Sequence, residues 1–172
     1  MKLQKMMFAA VAVLAIVCAG CKDSEDAGSI RIPAYLRVDG TEIVDWRADI
    51  PAEVSIPDGI TAINDNAFYD CDRIHSVFVP RSVTYIAEKA FYSCGSLESI
   101  TIGDGVTYIG EYAFANCPDL KDVYYNGDLE QWRAVEKYNK PFGYSRYDRG
   151  TSYYYTKERD VTIHCTDGDT IE

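Results

Sequence analysis

Residues 97–120 read LESITIGDGVTYIGEYAFANCPDL, and the spacing of the apolar residues in this stretch decides the fold. Similar chemistry recurs every 23 residues, with Val54, Val77, Ile100 and Val123 at one position of the pattern. About eight apolar positions agree across three units, and a fixed period of this length is typical of a repeat protein. The fold therefore has to be interpreted unit by unit.

Each unit starts with a short strand. Val77 and Val79 are separated by one residue, as are Ile100 and Ile102, which is the period expected of a strand with one buried face. Pro80 or Gly103 then ends the strand, since proline cannot donate to a ladder of hydrogen bonds. A turn follows, and a second short extended piece leads into the other half of the unit.

The second half of each unit is predicted to be a helical turn. An acidic residue stands at its start in every unit, where a carboxylate favours the positive end of a helix dipole. These residues are Asp65, Glu88 and Glu111. Ala, Phe and Cys follow at i, i+1 and i+4, a spacing that would place all three on one face of a helix.

A unit of this size cannot bury its own apolar side chains, so successive coils are expected to stack around a shared core. The stack would form a solenoid whose parallel strands lie about 4.8 Å apart. Phe68, Phe91 and Phe114 should then form a column inside it. Three full repeats are assigned to residues 54–122.

The unit from Leu97 to Leu120 resembles the BspA-type leucine-rich repeat, and the resemblance is strongest over residues 54–125. It implies an α/β fold class: a leucine-rich-repeat solenoid with a parallel sheet on the concave side and short helical turns on the convex side. It also implies a surface protein that mediates adhesion or protein–protein contact.

Residues 30–53 are interpreted as an N-terminal cap and residues 123–172 as a C-terminal cap. Asp39-Gly40 predicts a hairpin in the first cap. In the second, the spacing of Leu129, Trp132 and Val135 predicts a helix that closes the core, and the alternation of Val161, Ile163 and Cys165 predicts a last strand.

Residues 138–159 depart from the repeat and are rich in tyrosine. A loop of this length in a compact domain is functional, disordered or misassigned. Two interpretations stay open: a second binding surface, or a cluster that ties the insertion to the C-terminal cap. Its candidate residues are Tyr144, Tyr147, Tyr153, Tyr154 and Tyr155.

The N-terminal residues are predicted to form a targeting signal. Lys2 and Lys5 precede the apolar run from Met6 to Ala19, which is too short for a transmembrane helix and typical of a signal peptide at residues 1–20. Cys18-Ala19-Gly20-Cys21 resembles a bacterial lipobox, which implies lipidation of Cys21. Ordinary cleavage after Gly20, with Cys21 unmodified, is the alternative.

The polar residues 21–29 are predicted to form a flexible tether. Lys22 followed by acids also resembles a surface-export signal of some Gram-negative lipoproteins. We therefore expect a protein of the outer membrane, anchored by its N-terminal lipid alone and exposed at the cell surface.

Charge argues against nucleic acid as a partner. The formal net charge is −10, and removal of the two leader lysines would make it −12. Nucleic-acid binders instead carry a basic patch that displaces counterions from phosphate.

No residue pattern predicts catalysis, a metal site or a cofactor. Three of the cysteines, Cys71, Cys94 and Cys117, share one repeat position, with none of the short paired spacings of zinc sites. Stacked cysteines could bridge in an oxidising compartment, but buried, inert thiols are the favoured interpretation. His75 and His164 are read as polar residues of strands, and Asp167-Gly168-Asp169 as a turn.

Strand alternation predicts which side chains are available for recognition. If Val77 and Val79 point inward, their neighbours point outward onto the predicted concave sheet. The candidate ligand-binding residues are Ser76, Phe78, Ser99, Thr101, Asp122 and Tyr124. Phe78 and Tyr124 could anchor a peptide or stack on a sugar, or could be covered by a cap or a loop.

The predicted function is that of a non-enzymatic cell-surface lipoprotein whose leucine-rich-repeat scaffold binds protein partners or mediates adhesion. The alternative is a glycan-binding accessory lipoprotein that uses the aromatic concave face or the Tyr-rich insertion.

Overall fold

The computed structural model describes residues 30–148, 153–157, 161–168 and 170–171. The predicted signal peptide at 1–20, the lipidation site Cys21 and the tether at 21–29 lie outside these residues. Two six-stranded sheets and one two-stranded hairpin make up the described strands.

The strands are short, and one α-helix occurs among the described residues. Their bounds are β1 Leu36–Asp39, β2 Glu42–Trp46, β3 Glu53–Ser55, β4 Ala62–Ile63, β5 Ser76–Val79, β6 Tyr85–Ile86, β7 Ser99–Ile102, β8 Tyr108–Ile109, β9 Asp122–Tyr125, α1 Leu129–Ala134, β10 Glu136–Lys137, β11 Tyr144–Asp148, β12 Tyr153–Lys157, β13 Thr162–His164 and β14 Thr170–Ile171. The first sheet has the order β1-β2-β4-β6-β8-β10, and the second has the order β14-β13-β9-β7-β5-β3.

Successive coils add one strand to each sheet, in parallel and in register. In the second sheet Val77 of β5 lies beside Ile100 of β7, which lies beside Val123 of β9. In the first sheet Ile86 of β6 lies beside Ile109 of β8. These pairings confirm a β-solenoid of stacked parallel strands. The antiparallel pairs are β1–β2, at the predicted hairpin, β13–β14, and β11–β12.

The core is a continuous apolar axis between the two sheets. Phe68, Phe91 and Phe114 form the expected column, with ring centroids 4.7 and 5.2 Å apart and planes within 11° of parallel. All three rings are buried. The stacking distance matches the strand spacing because equivalent residues of adjacent coils are separated by one rung of the solenoid.

The predicted helical turns are wrong. Two positions in each turn instead adopt positive φ, a left-handed conformation that a right-handed helix does not contain. In the first full coil these are Asn66 (59°) and Asp70 (56°), and in the next they are Lys89 (55°) and Ser93 (59°). The segment between them is a series of tight turns.

Hydrogen bonding between coils explains why a helix does not form. The amides of Asn66, Phe68 and Asp70 donate to carbonyls of the next coil, at 3.1, 2.7 and 2.8 Å. The intervening amides of Ala67 and Tyr69 donate to the carbonyls three residues earlier and close four-residue turns within the coil. Every second amide therefore donates its hydrogen bond to the neighbouring coil, whereas in a helix each amide would donate to the carbonyl four residues earlier.

The fourth coil contains an insertion, because Tyr108 pairs with Glu136 and Ile109 with Lys137 at an offset of 28 residues instead of 23. The additional length contains α1, which places Trp132 in the core as the sequence predicts.

After β10 the chain rejoins the repeat pattern, since Phe142 stacks on Phe114 at 5.3 Å and extends the phenylalanine column. Residues 138–143 thus belong to the solenoid, although the sequence groups them with the Tyr-rich insertion. The amides of Phe114 and Asn116 donate to Pro141 and Gly143, as the equivalent amides do in earlier coils. The insertion proper is the hairpin of β11 and β12.

Candidate functional site

The outward-facing side chains of the second sheet form two parallel ranks. One, the serine rank, consists of Ser76, Ser99, Asp122 and Thr162, which lie beside one another on adjacent strands. The other, the aromatic rank, consists of Phe78, Thr101, Tyr124 and His164. The two ranks are about 6.7 Å apart, since two residues of strand separate them.

The six residues predicted for recognition therefore lie on one face. Burial alternates along β5 and β9, where Val77, Val79, Val123 and Tyr125 are buried. Phe78 and Tyr124 are 43% and 44% exposed, so neither ring is covered by a cap.

His164 belongs to this face, although the sequence treats it only as a polar strand residue. Its ring stacks on Tyr124 at 4.8 Å, and its Nε2 lies 2.8 Å from Oδ1 of Asp122. These contacts fix the orientation of the Tyr124 ring and of the Asp122 carboxylate. The alternation around Ile163 indicates that His164 points outward. Its pairing with Tyr124 does not follow from the repeat, because the insertion between β9 and β13 changes the 23-residue spacing.

The repeats that build this face match a known family. The sequence model described as the BspA type leucine rich repeat region matches residues 51–135 in six copies. Through these repeats, the chain belongs to the BspA-type leucine-rich-repeat family. The match spans the strands β3 to β9 that carry most of the two ranks.

Among solved structures, this BspA-type protein is similar to a leucine rich cell surface protein from Faecalibacterium prausnitzii A2-165. Sequence identity is 24% and the TM-score is 0.30. The similarity covers 55% of this chain and 38% of the other. No curated protein matches the chain.

A second exposed aromatic surface lies on the first sheet of the BspA-type protein and was missed by the sequence analysis. Tyr85 and Tyr108 stack at 4.6 Å with nearly parallel rings, and Tyr138 nearby is 56% exposed. Burial, together with the neighbouring Tyr85 hydroxyl, raises the pKa of Tyr108. The signal was present in the sequence, because Tyr85 and Tyr108 are one repeat apart.

The cysteine column is buried in the core. The Sγ atoms of Cys94 and Cys117 each lie 3.1 Å from a carbonyl of the preceding coil, those of Phe68 and Phe91. A hydrogen bond with Cys117 and burial both raise the pKa of the Cys94 thiol, and burial raises that of Cys71. Since the thiolate is the reactive form, the raised pKa values disfavour reaction of Cys71 and Cys94 at neutral pH.

Other candidate sites gain no support from the geometry. Within the described part of the chain, no three His, Cys, Asp or Glu side chains are grouped to hold a metal ion. Across the same residues, no helix is long and apolar enough to span a membrane. His75 is exposed, with Nδ1 3.2 Å from the carbonyl of Arg73.

The remaining predicted positions are only partly described. Asp167-Gly168 lies in a turn, and Asp169 falls outside the described residues. In the Tyr-rich insertion the backbone pairs Tyr144 with Lys157, Tyr147 with Tyr154, and Asp148 with Tyr153. Tyr155 of the same hairpin pairs with Arg146.

Proposed function

We propose that this chain is a non-enzymatic surface protein that binds another protein through the outward face of its second sheet. Membership of the BspA-type family suggests a surface scaffold for protein binding or adhesion, and proteins of this kind are generally non-enzymatic. The observation that carries the proposal is the aromatic rank, in which Phe78 and Tyr124 expose more than two fifths of their surface to water.

The composition of the face supports a protein as the partner. Exposed aromatic rings surrounded by small polar side chains are typical of interface anchors, which become buried when a partner docks. Five strands spaced at about 4.8 Å give a face about 20 Å wide, the scale of a small interface. The regular sheet holds these side chains in place, so binding orders few additional groups.

Binding is tested with the immobilised full chain and an extract of extracellular proteins. The double variant Phe78→Ala/Tyr124→Ala should lose most of the bound protein. The matched control is Tyr69→Ala/Tyr85→Ala, which removes two rings of similar exposure, 45% and 42%, from other surfaces and should bind as the parent chain does. Equal binding by both double variants would contradict the proposal.

Pretreating the extract separates the two candidate partner classes. Protease should abolish the captured material if the partner is a protein. If instead the activity survives protease and disappears after enzymatic removal of glycans, the glycan-binding alternative replaces the proposal. The Tyr-rich hairpin would then be the next surface to test, through Tyr147→Ala and Tyr154→Ala.

The location at the outer membrane, exposed at the cell surface, belongs to the same proposal. Its support is the leader sequence and the Cys18–Cys21 motif. Diacylation of Cys21 would supply two acyl chains, which is sufficient for stable attachment. Cys21→Ala should move the protein from the membrane fraction to the soluble fraction, and retention in the membrane would refute lipidation at this residue.

A further inference from the structure

The aromatic rank lacks one ring. Its members on β5, β7, β9 and β13 are Phe78, Thr101, Tyr124 and His164, so that a threonine separates two aromatic residues. His164 covers one face of Tyr124, with the two planes 17° apart. Because β13 and β7 flank β9 on opposite sides, the other face of Tyr124 is directed toward the space above Thr101.

Wherever adjacent rungs of this solenoid both carry a ring in register, the described rings stack. The centroid distances are 4.6 Å for Tyr85–Tyr108 and 4.8 Å for Tyr124–His164. Thr101 leaves Phe78 and Tyr124 two rungs apart, at a separation of about 9.6 Å. One flat group inserted above Thr101 would lie about 4.8 Å from each neighbour and would complete the stack.

Charge indicates the nature of the missing group. Asp122 lies diagonally from Thr101 in the register, on the neighbouring strand and in the serine rank, and His164 engages its Oδ1. Among the residues that the structure describes, no hydrogen bond to Oδ2 of Asp122 is formed. The hydroxyl of Ser99 lies in the same rank, and the chain as a whole carries a net charge of −10. The gap thus combines two aromatic neighbours with a carboxylate, in an acidic molecule that attracts cations.

Among the side chains that the structure describes, the cations at the border of the sheet, Arg81 and Lys121, do not fill the gap. Arg81 lies at the far end of β5 and is 3.8 Å from Asp104. Lys121 is exposed and precedes Asp122, outside both ranks.

We propose that the gap above Thr101 is a slot for the guanidinium group of an arginine on the protein partner. This inference rests on the proposed function and names the chemistry of the partner. Guanidinium is planar and stacks on aromatic faces, and its forked N–H groups can reach a carboxylate and a hydroxyl beside it. A lysine ammonium lacks the plane, and an aromatic side chain leaves the Asp122 carboxylate without a positive partner.

The proposal is tested by titrating the full chain with small probes and recording nuclear magnetic resonance shifts. The probes are the N-acetyl methylamides of arginine, lysine and tyrosine, together with methyl glucopyranoside. Arginine should bind about tenfold more tightly than lysine, since both carry the same charge and only arginine stacks in the slot. The shifts should be concentrated at Thr101 and its neighbouring strands.

Two substitutions that each introduce a phenylalanine ring locate the binding of arginine. Thr101→Phe fills the slot with a ring of the chain itself and should abolish arginine binding. Ser55→Phe is the matched control: it places the same ring on β3, in register with Phe78 on the side away from Thr101, and leaves the slot open. Asp122→Asn should weaken arginine binding several-fold, because it preserves shape and removes the charge. A cooperative thermal transition in each variant shows that it is folded.

Equal affinity for arginine and lysine would overturn the assignment, as would tighter binding of the tyrosine or glucoside probe. Arginine binding that survives Thr101→Phe would also overturn it. If the arginine probe fails while capture of protein still requires Phe78 and Tyr124, the slot is wrong and the proposed function stands. If the arginine probe binds the slot but capture of protein does not require Phe78 and Tyr124, the proposed function is wrong and the slot stands.

Discussion

Phe91 lies inside the phenylalanine column and contacts the ring of Phe68 on one side and that of Phe114 on the other. Its side chain is fully buried, so Phe91→Ala removes two stacking contacts and leaves a cavity in a core that cannot collapse freely. We expect the free energy of unfolding to fall by about 3–5 kcal/mol, measured by urea titration.

The exposed tyrosine stack supplies the control for this experiment. Tyr85→Ala also removes a stacked ring, but the side chain is 42% exposed and the water-facing part of its surface gains little from folding. The loss should be less than about 1.5 kcal/mol. Similar losses for Tyr85→Ala and Phe91→Ala would show that stacking itself, and not burial, stabilises the coil.

The elements differ in how far the sequence predicts them. The strands follow from alternation, because Val77, Val79, Ile100 and Ile102 must all enter one core. The turns do not, because Lys89 and Ser93 have no intrinsic preference for positive φ. Contacts with the neighbouring coil determine their conformation, and a sequence window confined to one unit cannot contain that information.

The candidate site shows the same division. The outward positions of Phe78 and Tyr124 follow from strand alternation within their own repeats. The contact of His164 with Asp122 does not, since the two residues are 42 positions apart and the chain between them includes α1 and the hairpin. Only the paired strands β9 and β13 bring the two side chains together.

The stability of helix α1 depends on its N-cap residue, Asp128. Asp128 accepts a hydrogen bond from the amide of Gln131 at 2.8 Å, and the Gln131 side chain accepts one from the amide of Asp128 at 2.9 Å. Asp128→Ala should lower stability by about 1 kcal/mol, and Asp128→Ser should restore most of it. Glu130→Ala, in the first turn of the same helix, is the control, and thermal unfolding is the measurement. An equal effect of Glu130→Ala would mean that the cap is not responsible.

For the whole molecule, the buried acids predict a loss of stability at alkaline pH. Burial raises the pKa values of Tyr35 and Tyr125, and a hydrogen bond with Cys117 together with burial raises that of Cys94. The folded chain therefore holds these protons more tightly than the unfolded chain does. Their contribution is complete below pH 9.0, the ordinary pKa of cysteine, and is lost as the pH rises through the folded values.

Lys137 acts in the opposite direction, because burial lowers the pKa of its ammonium group. Its contribution to the free energy of unfolding therefore becomes more favourable as the pH rises toward 10.5, the ordinary pKa of lysine. Because more groups have raised values, we expect the urea midpoint to fall as the pH rises above 9.0. Tyr125→Phe should make the decline less steep. A midpoint that does not change, or an identical decline in this variant, would show that these groups do not govern the alkaline limit.

The solenoid also predicts that a coil can be removed only as a whole unit. Deletion of residues 77–99 joins Ser76 to Ile100, which occupies the position that Val77 held, and brings Phe68 beside Phe114. The chain should keep a single cooperative transition at a lower urea midpoint, because one set of interfaces between coils is lost. Deletion of residues 77–98 removes one residue fewer, so alternation in the joined strand is reversed and apolar side chains face water.

The shorter deletion should therefore be the more damaging one, with a lower midpoint or no cooperative transition. The longer deletion should keep the fold yet lose arginine binding, since Phe78 is removed with the coil. This pairing separates the stability of the scaffold, which depends on register, from recognition, which depends on which side chains fill the aromatic rank. If the two deletions unfold alike, the 23-residue coil is not the unit of stability.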